Sequence, residues 1–317
     1  MTATIAPART SAPVSRRPDP RRRSRWARRR RDDAVGWGFI GVPTLIVVGL
    51  SIFPAGWAFL ISRKKWNLLT QPRDIGWTNY HTMIDDPDVW SAVGHTFFFT
   101  AVFVPVSILL GVLLAVALNQ PIRLVGFYRT AIFVPFVASA AATGILAGFV
   151  FEPNYGTLNG LLARLGLPGQ PFLESPTQAM LVIVVIALWG QVGFTVVVYL
   201  AALQDIPAEI VEAARVDGAN PAQVFRYVTL PELGPVTVFT AVWQTITALQ
   251  LFDLVYTTTR GGPVDATTTI VYYVWSTAFK ESKFGYGAAV SYGLFVLTLL
   301  VTIVMVIYSR RSKIEAF

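Results

Sequence analysis

The amino-acid sequence predicts an all-α membrane protein with six transmembrane helices. Both its composition and its apolar runs indicate this fold class. Of the 317 residues, 54% are hydrophobic and only 14% are charged, and the mean hydropathy is +0.54. Water-soluble domains usually carry about 25% charged residues, so the composition is not that of an ordinary soluble globule.

Six apolar stretches are long enough to cross a bilayer, which takes about 20 residues of helix. In chain order they cover residues 36–61, 92–118, 124–151, 179–203, 235–257 and 285–308. A further apolar run, 270–279, is too short to span the hydrocarbon and is expected to form an interfacial or buried helix. The first span is not predicted to be a cleaved signal peptide, because its apolar core is long and five more spans follow it.

Positive charge predicts the orientation, because loops rich in Lys and Arg stay in the cytoplasm. With six spans, the side that carries both termini has 18 basic residues and the opposite side has 8. Both termini are therefore predicted to be cytoplasmic. The longest loop on that side covers residues 204–234, and the last loop on the other side covers residues 258–284.

The N-terminal tail, residues 1–35, holds 11 Arg and 3 Asp and so carries the whole net charge of +8. We expect a disordered cytoplasmic tail that faces anionic lipids and helps to orient the first span. Binding to nucleic acid is disfavoured, because the basic run 16–31 contains one aromatic residue, Trp26, and adjoins a membrane span. Membrane lipids are therefore predicted partners and nucleic acid is not. A short C-terminal tail, 312–317, is also predicted to be cytoplasmic.

Several familiar site motifs are missing or fail their structural context. A Gly-x-Gly-x-x-Gly match at Gly36, Gly38 and Gly41 opens a membrane helix with no strand before it, so it does not predict a dinucleotide site. No Gly-Lys dipeptide occurs, so the chain has no Walker A loop. There is no cysteine, and the two histidines, His81 and His95, lack the spacing of metal ligands. The sequence therefore predicts no catalytic residue, no metal site and no bound cofactor.

The loop 204–234 has the pattern of two short helices. Pro207 and Pro221 each suit the first position of a helix, and Gly218 supplies a turn between them. One face of the first helix carries small and apolar side chains, namely Ile210, Ala213 and Ala214. Such a shallow surface allows another protein to approach closely.

The same loop resembles the EAA loop of ABC-importer permeases. The resemblance is carried by Glu212-Ala213-Ala214, Gly218 and Val228-x-Leu230-Pro231, with Val228 where Ile is commoner. In that family the loop forms helices that dock into a cleft on the ATP-hydrolysing subunit. The resemblance implies an ATPase-coupling role for Glu212, Ala213, Ala214, Asp217, Gly218, Leu230 and Pro231. The alternative is an amphipathic loop that lies on the membrane.

Further matches narrow the resemblance to the carbohydrate-uptake importers, and to the type of their first maltose-permease subunit. They are Gly76-x-x-Asn79-Tyr80, Pro153-x-Tyr155-Gly156, Phe252-Asp253 and Gly261-Gly262-Pro263. The resemblance covers about residues 36–311, and it implies the type I importer permease fold in a bacterial plasma membrane. The implied partners are a second permease subunit in a heterodimer, two copies of an ATPase subunit that hold ATP and Mg, and an extracytoplasmic solute-binding protein.

Polar side chains inside the fourth and fifth spans predict a solute path. Thr240, Gln244 and Thr247 share one helix face, and polar residues at mid-membrane usually face the bundle interior or a water-filled route. The family resemblance implies solute contacts in the same two spans, at Gly190, Gln191, Phe194, Gln244, Thr247, Ala248 and Leu251. Hydrogen bonds between helices are the alternative role for these polar groups. Asp253 is equally compatible with solute contact, a helix cap or an ion pair.

Two solute classes are compatible with the sequence. A sugar follows from the family resemblance, and the absence of basic residues from the predicted mid-membrane site favours a neutral one. The alternative is glycerol 3-phosphate or a related glycerophosphodiester, because residues 263–269 and 201–204 also resemble permeases for those solutes. A membrane-embedded transferase is a distant alternative, since no carboxylates or metal ligands converge at a membrane face. A membrane anchor that acts through its basic tail is another.

Overall fold

A computed structural model of the protein describes residues 36–311. The predicted tails, 1–35 and 312–317, lie outside the described residues. Within the described range the chain is mainly helical, and one short antiparallel pair of strands joins β1 (Lys64–Lys65) to β2 (Arg73–Asp74). The chain divides into two compact units after Ala58, and the described part of the first unit is a helix.

The helices are numbered in chain order. The first six are α1 (Gly36–Ser62), α2 (Thr78–Asp85), α3 (Pro87–Leu118), α4 (Val125–Val137), α5 (Ala140–Val150) and α6 (Thr157–Arg164). They are followed by α7 (Ala179–Asp205), α8 (Ala208–Val216), α9 (Pro221–Val224), α10 (Gly234–Leu249), α11 (Asp253–Thr257), α12 (Ile270–Trp275) and α13 (Phe284–Arg311). Shorter helical turns are Val48–Ile52 within α1, Phe172–Glu174 before α7, Phe225–Thr229 and Leu230–Glu232 after α9, and Ser276–Lys280 after α12.

Five segments of the described chain are long and apolar enough to cross a membrane, namely α1, α3, α7, α10 with α11, and α13. The third predicted span differs from its prediction. The sequence predicted one continuous helix over 124–151, but the structure has two helices, α4 and α5, bent by 100°. Pro135 lacks an N–H donor in the last turn of α4, and Ala138 and Ser139 are extended. Counted as one broken span, this pair completes the six predicted spans.

A second break divides the fifth span. Helix α10 ends at Leu249, and Gln250–Phe252 leave helical geometry before α11 begins at Asp253. Irregular backbone at membrane depth requires partners for its freed polar groups. The carbonyl of Leu251 has such a partner, because the hydroxyl of Thr269 donates to it across 2.8 Å. The neighbouring segment of the chain therefore stabilises the break.

Close contact between α3 and α7 forms the centre of the core. Glycine at position 111 permits this contact, since a Cβ atom there would collide with the side chain of Thr195. The large buried side chains include Phe99, Phe103, Ile183 and Tyr199. Lipid gives little hydrophobic drive for helices to associate, so small residues and close packing are what hold such a bundle together.

The segment 258–284 packs against the start of α3, and the end of the bundle where it lies is called the 258–284 end. The N–H of Ile270 donates to the hydroxyl of Thr96 across 2.9 Å, and Nδ1 of His95 lies 3.1 Å from the carbonyl oxygen of Thr268. Helix α7 leads from this end to the loop 204–234, which defines the 204–234 end. The two predicted loops thus lie at different ends of the bundle.

Asp86 links three helices at the 258–284 end. Its carboxylate accepts hydrogen bonds from the hydroxyls of Tyr273 (2.7 Å) and Tyr286 (2.5 Å), and from the N–H of Asp88 at the start of α3. Partial burial raises the pKa of Asp86, but these hydrogen bonds outweigh burial and hold the pKa below its usual value. Burial and the nearby carboxylate raise the pKa of Tyr273, so its hydroxyl stays protonated and donates. At neutral pH the charged carboxylate therefore fastens α12 and α13 to α3.

Candidate solute cavity and coupling loop

The two helix breaks meet at one cavity of about 150 Å³. Ala138 and Ala140 line it from the break between α4 and α5, and residues 250–254 line it from the break between α10 and α11. The remaining lining residues come from α3, α4, α5, α7 and α10, and they are Phe99, Phe103, Pro135, Phe136, Thr143, Ile186, Ala187, Gly190, Gln191, Thr247 and Ala248. The breaks supply backbone and short side chains that leave room for a ligand.

Most of the predicted path residues lie at this cavity. Those that line it are Gly190, Gln191, Thr247, Ala248 and Leu251. Phe194 and Gln244 are not among the lining residues, and each lies about one helical turn nearer the 204–234 end. The ring of Phe194 stacks on that of Phe136, with 5.4 Å between the ring centroids, so it borders the cavity through a lining residue.

Gln244 faces the interior of the bundle instead of the cavity. Its side chain is fully buried, and Nε2 donates to the hydroxyls of Thr195 (2.8 Å) and Ser107 (3.2 Å). Oε1 of Gln244 has no hydrogen-bond partner among the described residues. In this conformation Gln244 therefore joins α10 to α7 and α3, which is the interhelical role considered as the alternative in the sequence analysis.

Asp253 contributes the one charged side chain of the described cavity lining. It is the first residue of α11 and is exposed, and its carbonyl oxygen accepts a hydrogen bond from the hydroxyl of Thr257. The ion pair found among the described residues joins Lys283 to Glu281 and does not involve Asp253. The lining of the cavity thus combines an acidic group with hydroxyl, amide and aromatic groups.

Several lining residues were not assigned to the path by the sequence analysis. Phe136 and Phe252 contribute aromatic rings, and Gln250 contributes an amide. One sequence feature could have indicated the break that Phe136 adjoins. A run of small residues lies shortly after Pro135, and such a run marks a place where a membrane helix can break. The pair Phe252-Asp253 resembles the family sequence, but its position beside a helix break was not predicted.

The loop 204–234 forms short helices on either side of a turn at Gly218, as the sequence predicted. Pro221 is the first residue of α9, whereas Pro207 lies just before α8, which begins at Ala208. Helix α8 ends at a turn in which Gly218 has a φ of +84°, a conformation that favours glycine. Asn220 then caps α9 by a reciprocal pair of hydrogen bonds with Gln223. The turn and the cap together fix the angle at which the chain leaves α8.

The exposed surface of this loop contains both charged and apolar side chains. Glu212, Ala213, Asp217 and Gly218 are exposed, whereas Ala214 is half-buried. Apolar side chains lie on the same loop, with 43% of Ile210, 86% of Val216 and 74% of Tyr227 exposed. Farther along, Leu230 is half-buried and Pro231 is exposed. Exposed apolar groups rimmed by charges are typical of a protein-interaction surface.

A helical membrane bundle with a mid-bundle cavity and an exposed interaction loop has the features of a membrane transport subunit. Within residues 36–311 no group of three or more His, Cys, Asp or Glu side chains is arranged to hold a metal ion. The comparisons with known proteins assign the family. Residues 90–314 match the model of the binding-protein-dependent transport system inner membrane components. The chain belongs to this family, and it is a multi-pass permease component of an ABC importer in the plasma membrane.

Named relatives extend over most of the chain. It is 34% identical over 296 residues to the lactose transport system permease protein of Rhizobium radiobacter, covering 92% of this chain and 98% of the relative. It is 35% identical over 229 residues to the sn-glycerol-3-phosphate transport system permease protein of Agrobacterium fabrum, covering 72% of this chain and 78% of the relative.

The fold has a counterpart among solved structures. A chain of a bacterial ABC transporter that imports the acidic polysaccharide alginate superposes with a TM-score of 0.78. The sequence identity is 21%, and the match covers 90% of this chain and 98% of that chain. At this identity the comparison supports the fold, which is that of an ABC-importer permease.

Proposed function

We propose that this chain is one of two permease subunits of its importer and that the imported solute is a neutral sugar. The observation that carries the proposal is the lining of the cavity between the two helix breaks. It offers the amides of Gln191 and Gln250, the hydroxyl of Thr247 and the carboxylate of Asp253. Such groups bind sugar hydroxyls, and the rings of Phe136 and Phe252 offer faces on which a sugar ring packs.

The charge of the cavity favours a neutral solute over an anionic one. No Lys or Arg is among the described lining residues, and Asp253 is the one charged group. A phosphate desolvated beside a carboxylate, without a cation, would be strongly disfavoured. The second candidate is glycerol 3-phosphate, which the relative from Agrobacterium fabrum favours. The lactose permease relative favours the sugar.

The size of the cavity supports a second permease subunit beside this chain, as in the proposed heterodimer. Ligand pockets usually have volumes of about 300–1,000 Å³, whereas this chain encloses about 150 Å³. The second permease subunit supplies the opposite wall of the solute path. An extracytoplasmic binding protein delivers the sugar to the 258–284 end.

The loop 204–234 couples this path to ATP hydrolysis. In the proposed complex α8 docks on one of two ATPase subunits, which hold ATP and Mg, while this chain holds neither. The exposed residues Glu212, Ala213, Asp217, Gly218 and Pro231 face the docking subunit, and the half-buried Ala214 and Leu230 support the loop from behind. The exposed apolar side chains of Val216 and Tyr227 support this assignment.

The proposed orientation places the 204–234 end and both termini in the cytoplasm. The excess of basic residues on that side supports it, with 18 against 8. Residues 1–35 and 312–317 then form cytoplasmic tails, and residues 36–311 form the transmembrane permease domain.

Transport assays with the complete importer test the solute class. The chain is reconstituted in liposomes with its partner permease, the ATPase subunits and the binding protein. ATP-dependent uptake is then measured for labelled lactose, maltose, diacetylchitobiose and glycerol 3-phosphate. We expect uptake of at least one of the neutral disaccharides and none of glycerol 3-phosphate. If glycerol 3-phosphate alone were taken up, the proposed neutral sugar would be wrong and glycerol 3-phosphate would be the solute.

A further inference from the structure

Four aromatic side chains form a continuous series beside the cavity, and we call them the aromatic ladder. In order they are Phe136, Phe194, Trp243 and Phe239. The centroids of successive rings lie 5.4, 5.8 and 6.5 Å apart, and successive ring planes differ by 30°, 33° and 24°. The rings come from α4, α7 and α10, so the series connects three helices.

The ladder begins at the cavity and leads toward the 204–234 end. Phe136 lines the cavity itself. Phe239 lies on α10 eight residues before the cavity residue Thr247, which corresponds to about 12 Å along a helix that rises 1.5 Å per residue. Phe194 and Trp243 fill the interval between these two levels. The ladder therefore extends the cavity in the direction of the coupling loop.

The depth and the exposure of these rings call for an explanation. Trp and Tyr residues of membrane proteins are usually enriched at the two interfaces, whereas Trp243 lies well inside the span Gly234–Thr257. The exposed fraction is 36% for Phe136, 49% for Trp243 and 36% for Phe239. By contrast, the polar side chains of Thr240 and Gln244 on the same helix α10 are fully buried. In this part of α10 the aromatic side chains of Phe239 and Trp243 thus point outward, whereas the polar side chains of Thr240 and Gln244 point inward.

We infer that the aromatic ladder is a second sugar-binding stretch, over which the sugar ring passes from the cavity toward the cytoplasm. This inference rests on the proposed function. The C–H groups on one face of a pyranose pack on an aromatic ring, while its hydroxyls remain free for water or for the facing subunit. Phe136 belongs to both the cavity and the ladder. The sugar ring can therefore contact the next aromatic ring of the ladder before it leaves the cavity. A series of similar, moderate sites favours passage over retention.

The test compares two tryptophans of equal exposure in the complete reconstituted importer. Trp243 is 49% exposed and belongs to the ladder, whereas Trp189 is 50% exposed and lies outside both the ladder and the cavity lining. The probe is whichever of lactose, maltose and diacetylchitobiose the unaltered importer takes up fastest. Uptake and binding-protein-stimulated ATP hydrolysis are measured for Trp243→Leu, Trp243→Phe and Trp189→Leu.

We expect Trp243→Leu to lower uptake by about fivefold at an unchanged rate of stimulated ATP hydrolysis, because one aromatic contact is lost. Trp243→Phe retains a ring and should restore uptake to within about twofold, and Trp189→Leu should match the unaltered importer. Equal uptake by the two leucine variants would overturn the inference. So would a Trp243→Leu complex that fails to assemble or loses both activities together, since the ladder is then a packing surface for the second permease. If the unaltered importer takes up no neutral disaccharide, the proposed function itself fails.

Discussion

The amide of Gln244 donates a hydrogen bond of 2.8 Å to the hydroxyl of Thr195 and so ties α10 to α7 about one turn from the cavity. The same amide nitrogen lies 3.2 Å from the hydroxyl of Ser107 on α3. Three helices that surround the solute path are therefore joined by one side chain. Because all three groups are buried, their geometry is set by helix packing and not by solvent.

Replacing Gln244 by alanine should destabilise the bundle. Each interhelical hydrogen bond in a membrane is worth about 0.6 kcal/mol, and the shortened side chain also leaves a cavity, so we expect a total loss of about 2 kcal/mol. Thermal unfolding of the purified chain in detergent measures it. Gln250→Ala is the control, because Gln250 is exposed and lies in the break. Equal stability of the two variants would show that the hydrogen bonds of Gln244 contribute nothing.

A methyl group at position 111 should force α3 and α7 apart. The Cβ of Gly111→Ala would collide with Thr195, which also holds Gln244. Overpacking of this kind costs about 1–3 kcal/mol. Gly94→Ala, on the same helix, meets nothing within 4 Å and should be neutral. The measurement is the melting temperature of each variant. An unchanged melting temperature for Gly111→Ala would contradict the close contact between α3 and α7.

The hydroxyl of Thr247 should contribute to solute binding. Thr247→Val keeps the shape of the side chain and removes one hydroxyl from the cavity lining, so we expect the KM for sugar uptake to rise by about fivefold. Thr302→Val removes a similar hydroxyl on α13. Each of these hydroxyls donates a hydrogen bond to the carbonyl four residues earlier. The control variant therefore loses the same local hydrogen bond as Thr247→Val. Equal KM values for the two variants would remove Thr247 from the solute path.

The carboxylate of Asp86 should stabilise the 258–284 end in a pH-dependent way. Its folded-state pKa is held below 3.8, so its contribution is fully present above pH 3.8 and is lost as the pH falls through the lowered value. Asp86→Asn keeps the helix cap and removes the charge. Because Asp86 is partly exposed, we expect a loss of about 1 kcal/mol or less at pH 7. The difference between the two proteins should shrink as the pH falls from 7 to below 3.8, and a difference that grows as the pH falls would contradict this account.

The sequence predicted the apolar helices better than the breaks within them. Hydropathy indicates whether a stretch is apolar enough to lie in a membrane, and residues 124–151 are. It carries no information about the 100° bend after Val137. Proline and small residues permit such a bend, whereas its angle depends on packing against α7 and α11. For the same reason the break at Gln250–Phe252 was not predicted, since it depends on Thr269, which is distant in sequence.

The sequence specified the candidate site only to the level of helix faces. Periodicity put Thr240, Gln244 and Thr247 on one face of α10, but it does not distinguish a cavity from a neighbouring helix. In the structure Thr247 lines the cavity and Gln244 joins helices. The turn at Gly218 was predictable because its chemistry is local, and its φ of +84° agrees with that prediction.

The most direct test concerns the turn through which ATP hydrolysis is proposed to act on the solute path. Gly218 and Gly166 each follow a helix, have φ values of +84° and +71°, and donate their N–H to the carbonyl three residues earlier. Proline can neither adopt the positive φ nor donate the N–H hydrogen bond of these two positions, so both variants disturb the local backbone in the same way. Gly166 lies away from the 204–234 end. ATP-driven sugar uptake in the complete importer is measured for Gly218→Pro and Gly166→Pro.

The account predicts that Gly218→Pro abolishes uptake while the chain remains inserted in the membrane, and that Gly166→Pro keeps more than about half of the uptake. Uptake that is equally retained in both variants would contradict the proposal that the loop 204–234 couples ATP hydrolysis to transport.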